Sequence, residues 1–335
     1  MDRAFAHAMD MGLKIRLRKA GFLVSFLVSC LLMQWQASQA TTSQKSIRVR
    51  PRVALALGGD GLRSAACVGI LKVLDEEGIP VDIVVGSGMG AVVGGLYSAG
   101  VTPQHIEQEF TDKKLMNAYL TVPLSLRLLA SPIIYAPRLI GFKPYDGLYR
   151  GKTFAAYLNK QVPATERNIE DLKIPFGAVA VDLLDGQCKT ISHGNLGKAL
   201  QASAAIPALR KPVKLDDGGL YVAGGVLVNI PVKAARKMGG DIVIAVDLDE
   251  AIKPAVDDDF RQIGSVSHRV VALHMNKIDA SELKDADFII KPEIGCVGLI
   301  STKQSDAANC IEAGERAAKR SIPAIRELLE SKYAN

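Results

Sequence analysis

The chain has 335 residues, of which 48% are hydrophobic and 23% charged, so it is long enough for one large α/β domain or two smaller ones. Its formal net charge is +6, and it is +3 without residues 1–40, because that segment holds five basic and two acidic side chains. This balance excludes a strongly basic nucleic-acid-binding protein. The five cysteines form no C-x-x-C pair and the five histidines no H-x-x-x-H pair, so the sequence predicts no metal site and no cofactor.

Residues 1–40 are typical of an export signal. Basic residues at positions 14–19 precede an apolar run from Gly21 to Met33, which is shorter than the roughly 20 residues of a membrane span, and small residues at 38–40 suit cleavage. Two other interpretations stay open, lipidation at Cys30 and an uncleaved anchor. We therefore expect an exported protein that is periplasmic or membrane-associated.

An exported protein meets an oxidising compartment, in which its cysteines can pair. The candidates are Cys67, Cys188, Cys296 and Cys310, and their spacing does not select the pairs. Cys67 lies in an apolar helical pattern, which favours a buried free thiol.

One globular domain is predicted from residue 51 onward, after a polar leader at 41–50. Apolar runs alternate with helical patterns, and this order indicates an α/β fold with parallel strands and crossover helices. The predicted strands lie at 53–57, 81–85, 176–181, 242–246 and 288–290. The predicted helices lie at 65–74, 89–99, 103–112, 152–160, 196–204, 231–237, 260–276 and 306–331.

The stretch 115–142 is rich in Leu, Ile, Ala and Pro and nearly free of acidic residues. One interpretation is a lid or packing segment folded onto the core. The other is a surface that contacts a lipid membrane, since an exposed apolar patch is a liability without such a role.

Residues 86–90 read Gly-Ser-Gly-Met-Gly, between a predicted strand and a predicted helix. This is the place of a G-x-S-x-G nucleophile elbow, in which a sharp turn exposes the central serine. The central residue here is Gly88, and Ser87 comes one position too early. The flanking Gly86 and Gly90 keep the frame of the motif, so the sequence predicts an elbow without its nucleophile.

Three segments resemble the patatin-like phospholipase family, especially its single-domain bacterial members. Residues 57–74, which begin LGGDGLRS, resemble the family's oxyanion loop and first helix; 81–91 resemble the elbow; and 220–232 resemble the loop with the second catalytic residue. The resemblance implies a three-layer fold with a mostly parallel central sheet and helices on both faces. It also implies a lipid acyl hydrolase with a Ser–Asp dyad.

Carried over residue by residue, the resemblance puts Gly88 at the serine position and Ala223 at the aspartate position, followed by Gly224 and Gly225. Asp217 begins a literal Asp-Gly-Gly string a few residues upstream, but Asp-Gly is also a common hairpin turn. The residues that flank Ala223 keep the family's register. We therefore interpret Asp217 as a turn residue.

The oxyanion-loop remnant consists of Gly59, Asp60, Gly61 and Arg63. Asp60 and Ser64 stand where the family has glycine. A carboxylate beside a developing oxyanion opposes its stabilisation, and the loss of one donor lowers the rate about a hundredfold or more. We interpret Arg63 as a structural contact to nearby carbonyls or to Asp60.

Together these substitutions favour a pseudoenzyme that binds a lipid, a fatty-acyl ligand or a protein partner. An anionic head group is one candidate for the N-terminus of the helix near Met89, unless Asp60 fills that place. The alternative is an active hydrolase with a displaced nucleophile, either Ser87, Ser64 or Cys67. Ser64 is predicted instead to cap the helix that follows it.

Overall fold

The computed structural model describes residues 50–262, 264–295 and 297–334. The predicted export signal, the Cys30 lipidation site, nearly all of the polar leader and the pairing of Cys296 lie outside the described residues. From Pro51 onward the chain forms one compact unit. Among the described cysteines, Cys67, Cys188 and Cys310 are free thiols.

A central mixed sheet organises this unit, and its strands have the order β5-β6-β3-β2-β1-β7-β8, with β4 also paired to β3. The strands are β1 (Val53–Leu57), β2 (Ile83–Ser87), β3 (Phe176–Asp182), β4 (Cys188–Ile191), β5 (Val213–Lys214), β6 (Leu220–Ala223), β7 (Ile242–Val246) and β8 (Phe288–Ile290). The pairs β1–β2, β1–β7, β2–β3 and β7–β8 are parallel. The pairs of β3 with β4 and β6, and of β5 with β6, are antiparallel. The prediction of a mostly parallel α/β sheet is therefore confirmed.

Helices surround the sheet and connect its strands. They are α1 (Ala65–Glu76), α2 (Gly88–Ser98), α3 (Pro103–Thr111), α4 (Lys114–Leu120), α5 (Leu124–Leu129), α6 (Ser131–Tyr135), α7 (Lys152–Gln161), α8 (Leu196–Ser203), α9 (Val232–Lys237), α10 (Ser265–Leu283) and α11 (Gln304–Ala334). At the start of α3 the Thr102 hydroxyl accepts a hydrogen bond from the His105 N–H at 3.3 Å, ahead of Pro103 at the first helical position.

Both faces of the sheet are covered by helices. In β1, Leu55 and Leu57 pack in the cluster that contains the apolar faces of α1, α2 and α11, whereas Ala54 and Ala56 pack in a second cluster with Val232 of α9. Successive side chains of a strand point to opposite faces, so a strand buried on both sides is a continuous apolar run. This arrangement produces the predicted three layers.

The stretch 115–142 divides into two parts. Helix α4 is packed into the core, where Leu115 and Tyr119 are buried, whereas residues 121–142 are largely exposed, with Leu139 at 90% exposure. Residues 121–142 are therefore not packed into the core as α4 is, and a lid or a surface that contacts lipid stays a prediction for them. No single helix among the described residues has the length and apolar composition of a membrane span, although Lys114–Leu129 and Ser131–Ile140, bent by 98°, have them together.

Candidate functional site

A sharp strand–turn–helix connection lies at the centre of the candidate site. Strand β2 ends at Ser87 and α2 begins at Gly88, whose φ of +55° is in the left-handed region that favours glycine. A Cβ on Gly86 would stand 2.5 Å from the backbone of α2, and one on Gly90 would stand 2.2 Å from the Gly58 carbonyl oxygen. Because no side chain fits at either flanking position, the two glycines allow the helix to pack closely against the strands.

Several backbone N–H groups of the loop after β1 donate hydrogen bonds within the protein. Asp60 has φ −88° and ψ 47°, and the Gly61 N–H donates to the Gly59 carbonyl across it at 3.1 Å, which is an inverse γ-turn. Further donor–acceptor pairs are the Gly59 N–H with Asn229 Oδ1 (3.0 Å), the Leu62 N–H with the Leu299 carbonyl (2.8 Å) and the Arg63 N–H with the Asp60 carbonyl (3.1 Å). Four N–H groups of the loop are thus bonded within the protein.

The side chain of Asp60 is buried, with 4% of its surface exposed. Its Oδ1 accepts from Asn229 Nδ2 at 3.2 Å, and its buried Oδ2 has no hydrogen-bond partner among the described residues. Burial raises the pKa of Asp60 to about 6, against the opposing effect of Arg63. Arg63 itself donates to the Val297 carbonyl at 2.7 Å and to Glu250 at 2.9 Å. The arginine therefore makes the structural contact to a carbonyl that the sequence suggested.

Ala223 ends strand β6 beside the elbow. It is 7% exposed, and its N–H donates to the Ala205 carbonyl at 2.9 Å. A Cβ on the next residue, Gly224, would stand 2.6 Å from the Ser87 hydroxyl oxygen. The loop that follows β6 therefore lies directly against the elbow, as the resemblance requires.

Gly88 and Ala223 line one cavity of about 340 Å³. Its wall is mostly apolar and comes mainly from Met89, Ile206, Pro207, Val226, Val271, Met275 and Leu299. The rest of the lining includes Gly59, Asp60 and Gly61 of the loop after β1 and Gly225 of the loop after β6. The polar side chains at this cavity are Asp60, Tyr119 and His274; the tyrosine donates to the Ala204 carbonyl, and the histidine Nε2 lies 3.0 Å from the Val226 carbonyl. Among the described residues that line the cavity there is no serine, threonine or cysteine.

A family model described as patatin-like phospholipase matches residues 55–236, which is more than half of the chain. The match contains the loop, the elbow and the end of β6. The chain belongs to the patatin-like phospholipase family.

Curated relatives are similar to more than half of the chain. An uncharacterized NTE family protein of Mycobacterium tuberculosis is 35% identical over 210 residues, which cover 61% of this chain and 52% of the relative. Patatin-like phospholipase domain-containing protein 6 of Homo sapiens is 29% identical over 198 residues, which cover 58% of this chain and 13% of the relative. The chain thus spans about half the length of the mycobacterial relative and a small part of the human one.

Two solved structures are similar over most of the chain. VipD from Legionella pneumophila has a TM-score of 0.45 at 14% identity, covering 84% of this chain and 67% of that protein. The type III effector protein ExoU has a TM-score of 0.38 at 14% identity, covering 81% and 53%.

The three candidate replacement nucleophiles lie outside the wall of the cavity that Gly88 and Ala223 share. Ser87 is fully buried, and its hydroxyl has no hydrogen-bond partner among the described residues. Ser64 is also fully buried and donates to the Gly58 carbonyl at 3.3 Å, so the prediction that its side chain caps α1 is wrong. Cys67 is buried inside α1, where burial raises the pKa of its thiol. None of the three lines the cavity.

Asp217 lies in the connection between β5 and β6 and does not line the cavity. Its carboxylate accepts from the Gly219 N–H at 2.9 Å and from the Tyr221 hydroxyl at 2.5 Å. These contacts close a two-stranded hairpin, with Gly218 at φ +88°. The interpretation of Asp217 as a turn residue is therefore supported by its geometry.

Two residues that sequence reasoning did not single out hold the site together. Asp279 on α10 is fully buried and accepts from the Ile230 N–H at 2.9 Å and from Asn229 Nδ2 at 3.1 Å. Through Asn229 it is linked to both Gly59 and Asp60. Because Asp279 lies 50 residues beyond Asn229 on a separate helix, no local pattern indicates this pairing.

The hydroxyl of Ser203, the last residue of α8, lies at the N-terminus of α2. The Gly88 N–H donates to its hydroxyl at 3.0 Å, and the hydroxyl donates to the Val179 carbonyl at 2.6 Å. The first donor of α2, which the sequence offered to an anionic head group, is thus bonded to a neighbouring helix.

Proposed function

We propose that this chain is a catalytically inactive member of the patatin-like phospholipase family that binds an acyl chain in the cavity beside the elbow. The observation that carries the proposal is the composition of the cavity wall: Gly88 and Ala223 lie together in it, and among the described residues that line it there is no serine, threonine or cysteine, while the hydroxyl of Tyr119 donates to the Ala204 carbonyl. Acyl transfer through a covalent intermediate needs an activated nucleophile with a base in hydrogen-bond reach.

The oxyanion loop supports the same proposal. Four of its N–H groups donate to protein acceptors, and Asp60, which is among the residues that line the cavity, brings a carboxylate into this loop. Oxyanion stabilisation requires free donors directed at the developing charge. The positions of the nucleophile and of the base therefore lack a reactive side chain, and four donors of the loop are engaged within the protein.

The charge of Asp60 also limits the ligand. Burial raises the pKa of Asp60 only to about 6, its buried Oδ2 has no hydrogen-bond partner among the described residues, and the other walls of the cavity that Asp60 lines are mostly apolar. Like charges in a poorly solvated site repel strongly. We therefore infer an acyl ligand without a negative head, such as a long-chain ester, alcohol or monoacylglycerol, in preference to a fatty-acid anion.

Catalysis by Ser87 or Ser64 is the competing function. Both hydroxyls are fully buried and outside the cavity wall, and Ser64 already donates to a carbonyl. A substrate would have to displace the turn to reach either atom. These contacts favour binding without turnover.

The proposal is tested on the purified full chain in two assays. A fluorophosphonate probe should leave no covalent adduct, and short- and long-chain esters should be hydrolysed no faster than in buffer. A long-chain monoacylglycerol should displace a fluorescent acyl probe, and it should do so better than the fatty acid of the same length.

Variants make the binding assay specific. Ala223→Leu enlarges a side chain that lines the cavity and should weaken monoacylglycerol binding about tenfold or more. Ser87→Ala is the control, because Ser87 lies outside the wall, and it should bind as the parent does. A probe adduct on Ser87 or Ser64, with hydrolysis lost in the corresponding alanine variant, would show that the family's chemistry persists here.

A further inference from the structure

A second surface, distinct from the cavity, shows unusual chemistry. In the segment 121–142, large apolar side chains stand out from the protein: Leu129 is 79% exposed, Ile133 77%, Leu139 90% and Phe142 66%. Single exposed apolar residues are ordinary, but a contiguous group of them marks an interaction surface.

This segment encloses a groove of about 920 Å³. The large apolar residues that line it are Ile133, Ile134, Ile140, Phe142 and Leu148. Four cations also line it, Arg127, Lys143, Arg150 and Lys211. No acidic residue is among the described residues that line it, so the groove combines a hydrocarbon-like wall with a net positive charge.

The cations of the groove crowd one another. Within the described part of the chain, Lys143, Arg150 and Lys211 form no salt bridge, whereas the neighbouring Arg138 lies 3.6 Å from Asp146. Burial and the nearby Arg150 and Arg138 lower the pKa of Lys211. Asp146, which lies beside Arg138, opposes this effect, but the cations outnumber it and together attract an anion.

We propose that the segment 121–142 docks onto an anionic lipid bilayer, with its apolar side chains in the hydrocarbon and Lys143, Arg150 and Lys211 on the headgroup phosphates. Apolar insertion alone and basic charge alone each give weak attachment to a membrane, whereas the two together give stable attachment. The charge pattern selects this partner, because an apolar protein surface would leave the three cations unpaired and buried.

The segment 121–142 and its groove are close to the cavity along the chain. Tyr119 lines the cavity two residues before the segment begins, and the Tyr149 hydroxyl donates to the Val122 carbonyl at 2.6 Å. Pro207 lines the cavity, and Lys211 in the same stretch of chain lines the groove. Docking does not depend on the proposed acyl binding, since the two use different residues.

The test is vesicle flotation of the full chain. Vesicles of phosphatidylcholine with one quarter phosphatidylglycerol are compared with pure phosphatidylcholine vesicles, which report attachment by any other apolar segment. The chain should bind the anionic vesicles more strongly, and 0.5 M NaCl should remove most of the difference. Equal binding to the two vesicle types would overturn the proposal.

The triple variant Lys143→Gln, Arg150→Gln, Lys211→Gln removes the unpaired cations. It should lower partitioning into anionic vesicles about a hundredfold, at about fivefold for each cation. The matched control is Lys214→Gln, Lys284→Gln, Lys319→Gln, which removes three exposed lysines elsewhere and should lower partitioning only slightly. Equal losses of vesicle binding in the two triple variants would show that attachment depends on the net charge of the protein and not on these three cations.

The apolar contribution is tested by Leu139→Ser with Ile140→Ser, two exposed residues whose replacement leaves the core intact. This variant should also bind anionic vesicles less, while its circular dichroism and melting temperature stay those of the parent. Sedimentation velocity tests whether a second copy of the chain, and not a membrane, covers this surface. A dimer that these two serines dissociate, together with unchanged vesicle binding, would assign the segment to self-association.

Discussion

The carbonyl oxygen of Gly59 lies 2.9 Å from the point at which a Cβ on Gly88 would stand. Real Cβ atoms almost never make contacts below 3.0 Å, so the loop after β1 takes the space beside the nucleophile position of the elbow. The γ-turn around Asp60 holds that carbonyl, because the Gly61 N–H donates to it at 3.1 Å. The loop and the elbow therefore fit each other only while residue 88 has no side chain.

Gly88→Ser should lower the free energy of unfolding by about 1–3 kcal/mol, because residue 88 has φ +55° and its new Cβ would press on Gly59. Urea unfolding measures the loss. Gly88→Ala is the matched control and should destabilise equally, since the strain arises at Cβ and not at the hydroxyl. A serine variant as stable as the parent would show that the loop yields without strain.

The pair Gly88→Ser with Ala223→Asp should not restore esterase activity. The Asp60 carboxylate would remain in the oxyanion loop, where it opposes the stabilisation of an oxyanion, and loss of one oxyanion donor already lowers the rate about a hundredfold or more. Adding Asp60→Gly removes that charge, and only the triple variant should hydrolyse short esters measurably. Ordinary esterase rates in the double variant would refute the opposing role of Asp60.

Asp60→Asn should stabilise the protein in a pH-dependent way. Burial raises the pKa of Asp60 from 3.8 to about 6, so the folded state holds its proton more tightly than the unfolded chain does. The free energy of unfolding therefore falls as pH rises from about 4 to about 6, and the full penalty is present above this window. Asparagine does not titrate and still accepts from Asn229.

The gain of Asp60→Asn should approach about 3 kcal/mol above pH 6 and vanish near pH 4, in urea unfolding at a series of pH values. Asp216→Asn is the control for the loss of an aspartate, because Asp216 is exposed and its ion pair with Lys198 contributes little. A gain that is equal at all pH values would exclude ionisation of Asp60 as its cause.

Asn229→Ala should destabilise the protein by about 2–4 kcal/mol. It would leave the Gly59 N–H, Asp60 Oδ1 and Asp279 Oδ2 without this partner in a buried site, and each unsatisfied group is costly. Asn276→Ala is a matched control, since that half-buried amide donates only to two backbone carbonyls. Thermal unfolding should show a clearly smaller loss for the control, and equal losses would argue against a shared network.

The predictability of the fold follows from the length and pattern of its elements. The strands β1, β7 and β8 lie where the apolar runs predicted them, and α1 ends before Gly78, whose φ is +64°. Strands β4, β5 and β6 were not predicted, because they have two to four residues and depend on pairing with β3 or with each other. Helix α10 begins at Ser265, later than predicted, and its buried residues are Asp279 and Glu282, which no apolar periodicity reveals.

By itself the sequence determined the family, the mostly parallel sheet and the elbow with glycine at its centre, because close backbone packing and buried parallel strands leave local signatures in glycine spacing and apolar runs. Only the tertiary structure decided that Gly88 and Ala223 share one cavity, that four of the loop's N–H donors are already bonded and that Asp279 holds Asn229 against the loop. These relationships join residues far apart in the chain. Their energies come from burial and hydrogen bonding, which exist only once the sheet has brought the loops together.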